Sequence, residues 1–358
     1  MIVQPVAGHV IEEIFQALET IRQLIQARDP AGQRWELRVI CAYRIFRAFD
    51  EPRFRLEPAD PRKVLADLEE LITYLEESSG PDGQASTTRG PEGRSRVFED
   101  GSRRMQYLYG LAWAQLSADQ YRDAAGLLAL RLRNSNTDLS FLQDAECLDL
   151  GTGIARFALA MVQLGARRVV GVDFSVECLE EARRRLAGLE EADRIALQHG
   201  DLYRLAGGMT EAFDFVCANG VIHHLPDPQR ALEIVHQCTK PGGRAFVFVF
   251  AKNEAPWWPA VELMREVAAQ VPIDFAYRLL KFWEIPGTKM FNTLDYSYTP
   301  IQHKFDREWL EGVLRRIGFR EWQFLDGGAI HDSVFRSRQF DTDRQLYGAS
   351  EIRYLLHK

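Results

Sequence analysis

No stretch of this sequence stays apolar for the ~20 residues that a membrane-spanning helix needs, so no membrane partner is expected. A basic excess is missing too. Asp and Glu outnumber Lys and Arg, giving a net charge of −7, whereas nucleic-acid binders carry a basic surplus or stripe. Nucleic acid is therefore not an expected partner. Arg183-Arg184-Arg185 is the best candidate for a local basic patch, and it reads as the solvated face of a helix. Cysteine is sparse: Cys41, Cys147, Cys178, Cys217 and Cys238 are scattered without metal-ligand spacing. That pattern suits reduced thiols, not a disulfide framework or a zinc site. Internal repeats are absent. The opening Met-Ile-Val-Gln-Pro, soon followed by Glu12 and Glu13, lacks the charged-then-apolar pattern of a secretion signal. The expectation is a soluble cytoplasmic protein.

What is present divides the chain into blocks. Val10, Ile11, Ile14, Phe15, Leu18, Ile21, Leu24 and Ile25 recur at helical spacing, as do Val64, Leu65, Leu68, Leu71, Ile72 and Leu75. Asp60 suits the cap of that second helix, with Pro61 in its first turn. Trp35 to Phe49 supplies a third. Residues 1–80 thus read as a helical accessory domain, one that could pair two copies of the chain. Ser78 to Arg96 is rich in Gly, Ser, Thr and Pro, and a flexible linker is expected over 81–100. Residues 101–358 form the second domain, beginning with helices from Arg103 to Arg133 broken near Ser117.

Between 145 and 250 buried strands alternate with helices, which predicts an α/β, doubly wound, mostly parallel sheet. The expected strands are Glu146–Leu150, Arg168–Asp173, Ala196–Gly200, Phe213–Ala218 and Gly243–Phe250. Their nearly continuous apolar content marks strands buried on both faces. A helical lid insertion is expected over 251–305, then a helix from Asp306 to Ile317 and late strands at Arg320–Leu325 and Glu351–Leu356.

Ligands of open α/β sheets bind outside the carboxyl ends of the strands, and four strand ends carry polar residues. Asp149-Leu150-Gly151-Thr152-Gly153 ends the first, where glycines let backbone approach a ligand and Asp149 can answer a positive charge. Asp173, followed by Phe174, ends the second. Asp201-Leu202 follows the third. Asn219-Gly220-Val221-Ile222-His223-His224-Leu225-Pro226-Asp227-Pro228 follows the fourth. A nicotinamide site wants G-x-G-x-x-G, and Arg156 fills the place of its third glycine. Taken singly, a Gly-x-Gly is also a tight turn, and Asp201 is as well suited to cap a helix.

In this order and spacing, with Pro241-Gly242-Gly243 before the fifth strand, the motifs resemble those of class I S-adenosylmethionine-dependent methyltransferases, over about Arg103 to Phe250. The resemblance implies a Rossmann-like sheet and S-adenosylmethionine as cofactor. Asp149, Gly151, Thr152, Gly153 and Asn219 would line it, Asp173 would accept the ribose hydroxyls, Phe174 would flank the adenine, and Asp201 with Leu202 would read it. The Asn219–Pro228 stretch most resembles the small-molecule branch, which includes quinone-biosynthesis and natural-product enzymes. Some relatives bind a divalent metal here through two glutamates and a histidine. This chain has Gly220, His223 and His224 at those positions, and no metal is expected. The Asn/Asp-Pro-Pro-aromatic motif of DNA and RNA amino-methylating enzymes is absent.

A hydroxyl acceptor needs a general base, and neutral imidazole has a suitable pKa. His223 and His224 are the candidates; alternatively His224 holds its loop through a backbone hydrogen bond. Pro256-Trp257-Trp258-Pro259 and Leu294–His303 offer aromatic walls with polar tips. Trp257, Tyr296, Tyr298 and His303 are the acceptor-binding candidates, although a core or interface role is open for one of the two tryptophans. The expected function is methyl transfer to a small or medium-sized acceptor, with oxygen ahead of nitrogen and carbon. The alternatives are methylation of a protein or RNA docked by the N-terminal helices, and a scaffold without catalysis.

Overall fold

Leu148, Val169, Val216 and Val247 lie fully buried at the centre of one seven-stranded sheet, which a computed structural model describes. The described residues are 8–50, 61–77, 108–110, 117–133, 135–205, 208–325, 345–348 and 351–358. The linker expected from Ser78 to Arg96, the Asp60 cap and the start of the helix from Arg103 lie outside them. The chain divides into two compact units.

The first unit comprises 101–252, 300–334 and 349–358. Its strands are β1 (Glu146–Leu150), β2 (Arg168–Asp173), β3 (Ile195–His199), β4 (Phe213–Asn219), β5 (Thr239–Phe250), β6 (Glu321–Phe324) and β7 (Glu351–His357). They run in the order β3-β2-β1-β4-β5-β7-β6. The first five pair in parallel, and β7 is antiparallel to both β5 and β6. The order reverses at β1, whose neighbours are β2 and β4. At that switch point a doubly wound sheet opens a crevice for ligand.

The strands fall within a residue or so of expectation except β5. Pro241-Gly242-Gly243, expected as a turn before it, lies inside it as an irregularity: Phe213 pairs with Thr239, and the register resumes at Phe215 with Arg244. Gly242 has a φ of +77°, and its N–H donates to the Lys358 carbonyl, so the distorted segment keeps a backbone partner.

The second unit comprises 1–100, 253–299 and 335–348. Its helices α1 (Gly8–Arg28), α2 (Trp35–Asp50) and α3 (Pro61–Glu77) come from the N-terminal block. Three more, here α8 (Trp257–Ala268), α9 (Ile273–Phe282) and α10 (Gly287–Tyr298), come from the insertion. Ile14, Leu18, Ile21 and Ile25 form the buried stripe of α1. α8 packs on α1 and α2. The buried Arg38 guanidinium makes a 2.5 Å ion pair with Asp29 and donates to the Val267 carbonyl at 3.1 Å. Phe49 and Trp257 have ring centroids 5.7 Å apart.

The expected 1–80 block and the 251–305 insertion thus contribute helices to one compact unit. An amphipathic stripe must bury itself against some partner, and α1 and α2 share theirs between α3 and α8. Trp257, expected as a pocket wall, is core: it is 2 % exposed and surrounded by Phe49, Trp258, Tyr296 and Tyr347.

In the first unit the remaining helices are α4 (Ala118–Arg133), α5 (Arg156–Gln163), α6 (Val176–Leu186), α7 (Pro228–Cys238) and α11 (Arg307–Ile317). Ser175 caps α6 by accepting from Cys178 N–H, and Asp227 caps α7 by accepting from Arg230 N–H, with Pro228 in the first turn.

Candidate active site

The turn from β1 into α5 puts Gly151 and Gly153 at φ of +66° and +55°, where glycine alone is unstrained. At Gly151 a Cβ would come within 2.7 Å of Val221 Cγ2, so the turn also presses on the loop after β4. Ala155 is left-handed as well, with φ of 62°, although it carries a Cβ. Such a residue costs roughly 1–2 kcal/mol relative to a right-handed one.

Two buried carboxylates flank this turn. Asp149 accepts from the Thr152 hydroxyl at 2.6 Å, and burial pushes its pKa up to about 6 against that bond and the field of Arg156. Among the described residues no basic side chain forms an ion pair with it. Asp173 accepts backbone N–H groups on both oxygens, Ser175 on one at 2.9 Å and Gly153 on the other at 2.7 Å, with Phe174 N–H acting on the same carboxylate. Burial raises its pKa too, and those N–H groups oppose the rise.

Phe174 is half-buried beside Asp173, and its carbonyl lies 3.1 Å from His199 Nε2. Asp201 behaves as a cap: its exposed carboxylate accepts from Tyr203 N–H at 2.9 Å, starting the single turn Leu202–Leu205. Leu202 joins the sheet core. Asn219 ends β4, and its side-chain carbonyl accepts from Arg131 at 2.6 Å. Arg131 on α4 is buried, its guanidinium 5.6 Å from the Phe248 ring centre and 5.7 Å from that of Phe157. Also from α4, the Tyr121 hydroxyl donates to the Ile154 carbonyl at 3.2 Å. The sequence assigned no role to Arg131, Tyr121 or His199: the first two lie on a helix ahead of the sheet, and His199 ends β3 beside the more conspicuous Asp201.

Past Asn219 the chain makes one 3-10 turn, Ile222–His224. His223 is buried, stacked on Phe250 with centroids 3.7 Å apart, and 4.1 Å from the His224 ring. Burial holds its pKa well below 6.5, helped by His224 and His303. Among the described residues none hydrogen-bonds its buried Nδ1 or the buried Nε2 of His303. His224 Nδ1 lies 2.8 Å from the Ile301 carbonyl, and His303 N–H donates to the His223 carbonyl at 2.8 Å. Residues 301–303 thus strap the histidine turn from one side.

The expected acceptor segment is thereby divided. His303 belongs with the histidine turn, whereas Tyr296 and Tyr298 lie on α10 in the helical unit. Tyr296 packs edge-on to Trp257 at 4.8 Å, and Tyr298 is buried. Among the described residues no three His, Cys, Asp or Glu side chains are grouped to hold a metal ion.

A profile of the methyltransferase domain matches residues 148–247, the span from Asp149 through the histidine turn to β5. The chain is 31% identical over 191 residues to the demethylmenaquinone methyltransferase of Clavibacter sepedonicus, covering 52% of this chain and 72% of that protein. It is 31% identical over 125 residues to the ubiquinone biosynthesis O-methyltransferase of Idiomarina loihiensis, covering 35% of this chain and 50% of that one. The chain thus spans about half the length of several curated relatives it matches. A Mesorhizobium loti S-adenosylmethionine-dependent methyltransferase of known structure aligns with a TM-score of 0.43 at 19% identity, over 65% of this chain and 98% of that one.

The chain belongs to the class I S-adenosylmethionine-dependent methyltransferases. The residues at its strand ends fit that cofactor. A buried carboxylate suits a cationic ligand, the glycine turn leaves room for close approach, and Asp173 reaches the same turn through Gly153 N–H.

Proposed function

We propose that this chain binds S-adenosylmethionine at the carboxyl ends of β1 and β2 and methylates a hydroxyl of a small or medium-sized acceptor, with His224 as general base. The observation that carries this reading is the pair of buried carboxylates, Asp149 and Asp173, on either side of the left-handed glycine turn. When bound, the cofactor supplies a methyl group made electrophilic by its positive sulfur.

The chain's own residues hold the reactants and move one proton. Asp149 offers negative charge to the cationic half of the cofactor, and the Thr152 hydroxyl fixes its orientation. Asp173 accepts from the ribose. Phe174 gives the adenine an apolar neighbour, and Asn219 lines the far side of the crevice. A carbonyl only accepts, so the Ile301 oxygen makes His224 Nδ1 the protonated nitrogen of the neutral ring. The lone pair is then on Nε2, as a base taking a hydroxyl proton requires. The burial of this turn excludes water, which favours transfer over side reactions. His223 is held neutral and stacked, and it shapes the site as a polar wall. The name of the Idiomarina relative, an O-methyltransferase, agrees with oxygen as acceptor atom.

Titration calorimetry with S-adenosylhomocysteine and with NAD tests the cofactor reading: the first should bind and the second should not. Release of S-adenosylhomocysteine over a panel of hydroxylated, amine and carbon acceptors tests the rest. Turnover confined to amines would overturn the assignment to oxygen.

A further inference from the structure

Among the described residues β3 is the last strand on its side of the sheet, so on that side the turn leaving β2 meets the end of β3. The Asp173–His199 pair closes the ladder between them. Past it, Gly200 N–H donates to the Asp173 carbonyl at 2.9 Å. The next carbonyl, that of Phe174, lies beyond the ladder, and a side chain meets it: His199 Nε2, at 3.1 Å. A carbonyl cannot donate, so Nε2 carries the hydrogen. The turn held in this way supplies both oxygens of Asp173, one of which reaches across to Gly153 N–H in the glycine turn.

We infer that His199 is a positioning residue for the adenosine half of the cofactor: its Nε2–H pins the Phe174 carbonyl and so sets the Asp173 carboxylate and the Phe174 ring. The inference rests on the cofactor reading given above. His199 itself is exposed on the edge strand and packs in no core, so its removal leaves the sheet intact and frees only this turn. The ligand chemistry it serves is a nucleoside: a ribose diol with an aromatic base beside it.

The test is titration calorimetry of the full chain with S-adenosylhomocysteine. His199→Ala should weaken binding by roughly 3–10-fold, the usual worth of one net hydrogen bond. His199→Gln should restore affinity to within about twofold, because its amide nitrogen reaches the place of Nε2 and can donate the same bond. His199→Asn, whose amide is one bond shorter, should stay as weak as His199→Ala. Combined with Asp173→Ala, the effect should be less than additive; combined with Asp149→Asn, at the other end of the ligand, it should add. Equal affinity of wild type and His199→Ala overturns the inference and leaves the cofactor reading standing. Failure of His199→Gln to recover, or full additivity with Asp173→Ala, overturns it as well. If wild type itself binds no S-adenosylhomocysteine, the cofactor reading falls and takes this inference with it.

Discussion

His224 and Ile301 are joined by a hydrogen bond of 2.8 Å between an imidazole nitrogen and a backbone carbonyl, and that bond decides which nitrogen can act as a base. His224→Ala should lower the maximal rate by roughly 10²–10⁴-fold, the range for loss of a general base. Affinity for S-adenosylhomocysteine should barely change, the pattern of a group used in the transition state. His223→Ala should act differently, lowering the melting temperature through the stacking lost on Phe250. Near-full turnover in His224→Ala with a hydroxyl acceptor would place the base elsewhere.

Asp149 links pH to both stability and binding. Burial holds its carboxyl at about 6 in the free protein, above the ordinary value. The folded state therefore holds the proton more tightly than the unfolded chain does. The contribution favours folding at low pH and is lost as pH rises through about 6. Asp149→Asn should then stabilise the free protein by about 3 kcal/mol at pH 8, with the gain fading as pH falls from about 6 towards about 4. The same change should weaken S-adenosylhomocysteine binding. Thermal melts across pH with calorimetry at pH 8 check both; an Asn variant less stable at pH 8 would contradict the argument.

Ala155 stores strain in a position a glycine would occupy freely. Ala155→Gly should relieve it, with a net gain of about 0.5–1 kcal/mol after the greater entropy of the unfolded glycine chain is counted. Ala155→Val should be strongly destabilising, since a branched side chain is poorly tolerated at positive φ and the site is fully buried. Chemical denaturation of the three proteins decides it; a destabilised glycine variant would show that the Ala155 methyl contributes more by packing than it costs in strain.

Asp29 is expected to carry much of the helical unit's integrity. Asp29→Ala leaves the Arg38 guanidinium buried without its carboxylate, a change that costs about 3 kcal/mol or more. S-adenosylhomocysteine affinity should persist, because every candidate cofactor residue lies in the sheet unit. Deleting the N-terminal helices should expose the apolar face of α8 and promote aggregation while cofactor binding survives. Unchanged melting of Asp29→Ala would argue against the ion pair as a structural element.

Strands β1 and β2 and the glycine turn were legible because a strand buried on both faces leaves an unbroken apolar run and polar residues follow at once. Asp173 was legible for the same reason. The alliance of α1 and α2 with α8 was not: helical periodicity announces a stripe to be buried but never its partner. The carbonyls of Ile301 and Phe174 leave no trace in a sequence, since every residue has one, so the clasp on His224 and the contact made by His199 became visible only in three dimensions. Asp201 had two readings, and the cap to Tyr203 N–H accounts for one of its oxygens.

The chain departs from β5 and returns to it at neighbouring points. Ala251 bridges Phe305, Lys252 N–H donates to the Phe305 carbonyl, and Phe305 N–H donates to that of Phe250, each at 2.9 Å for the two hydrogen bonds. An excursion whose two ends meet in this way can be lengthened, shortened or exchanged at little conformational cost to its host. Evolution can therefore re-tailor residues 253–299 without disturbing the glycine turn. The return path runs through Ile301 and His303, however, so each new insert must deliver the chain back in register to keep the imidazole aimed. Swaps of this segment among relatives should succeed or fail according to their exit residues, more than to the helices they carry.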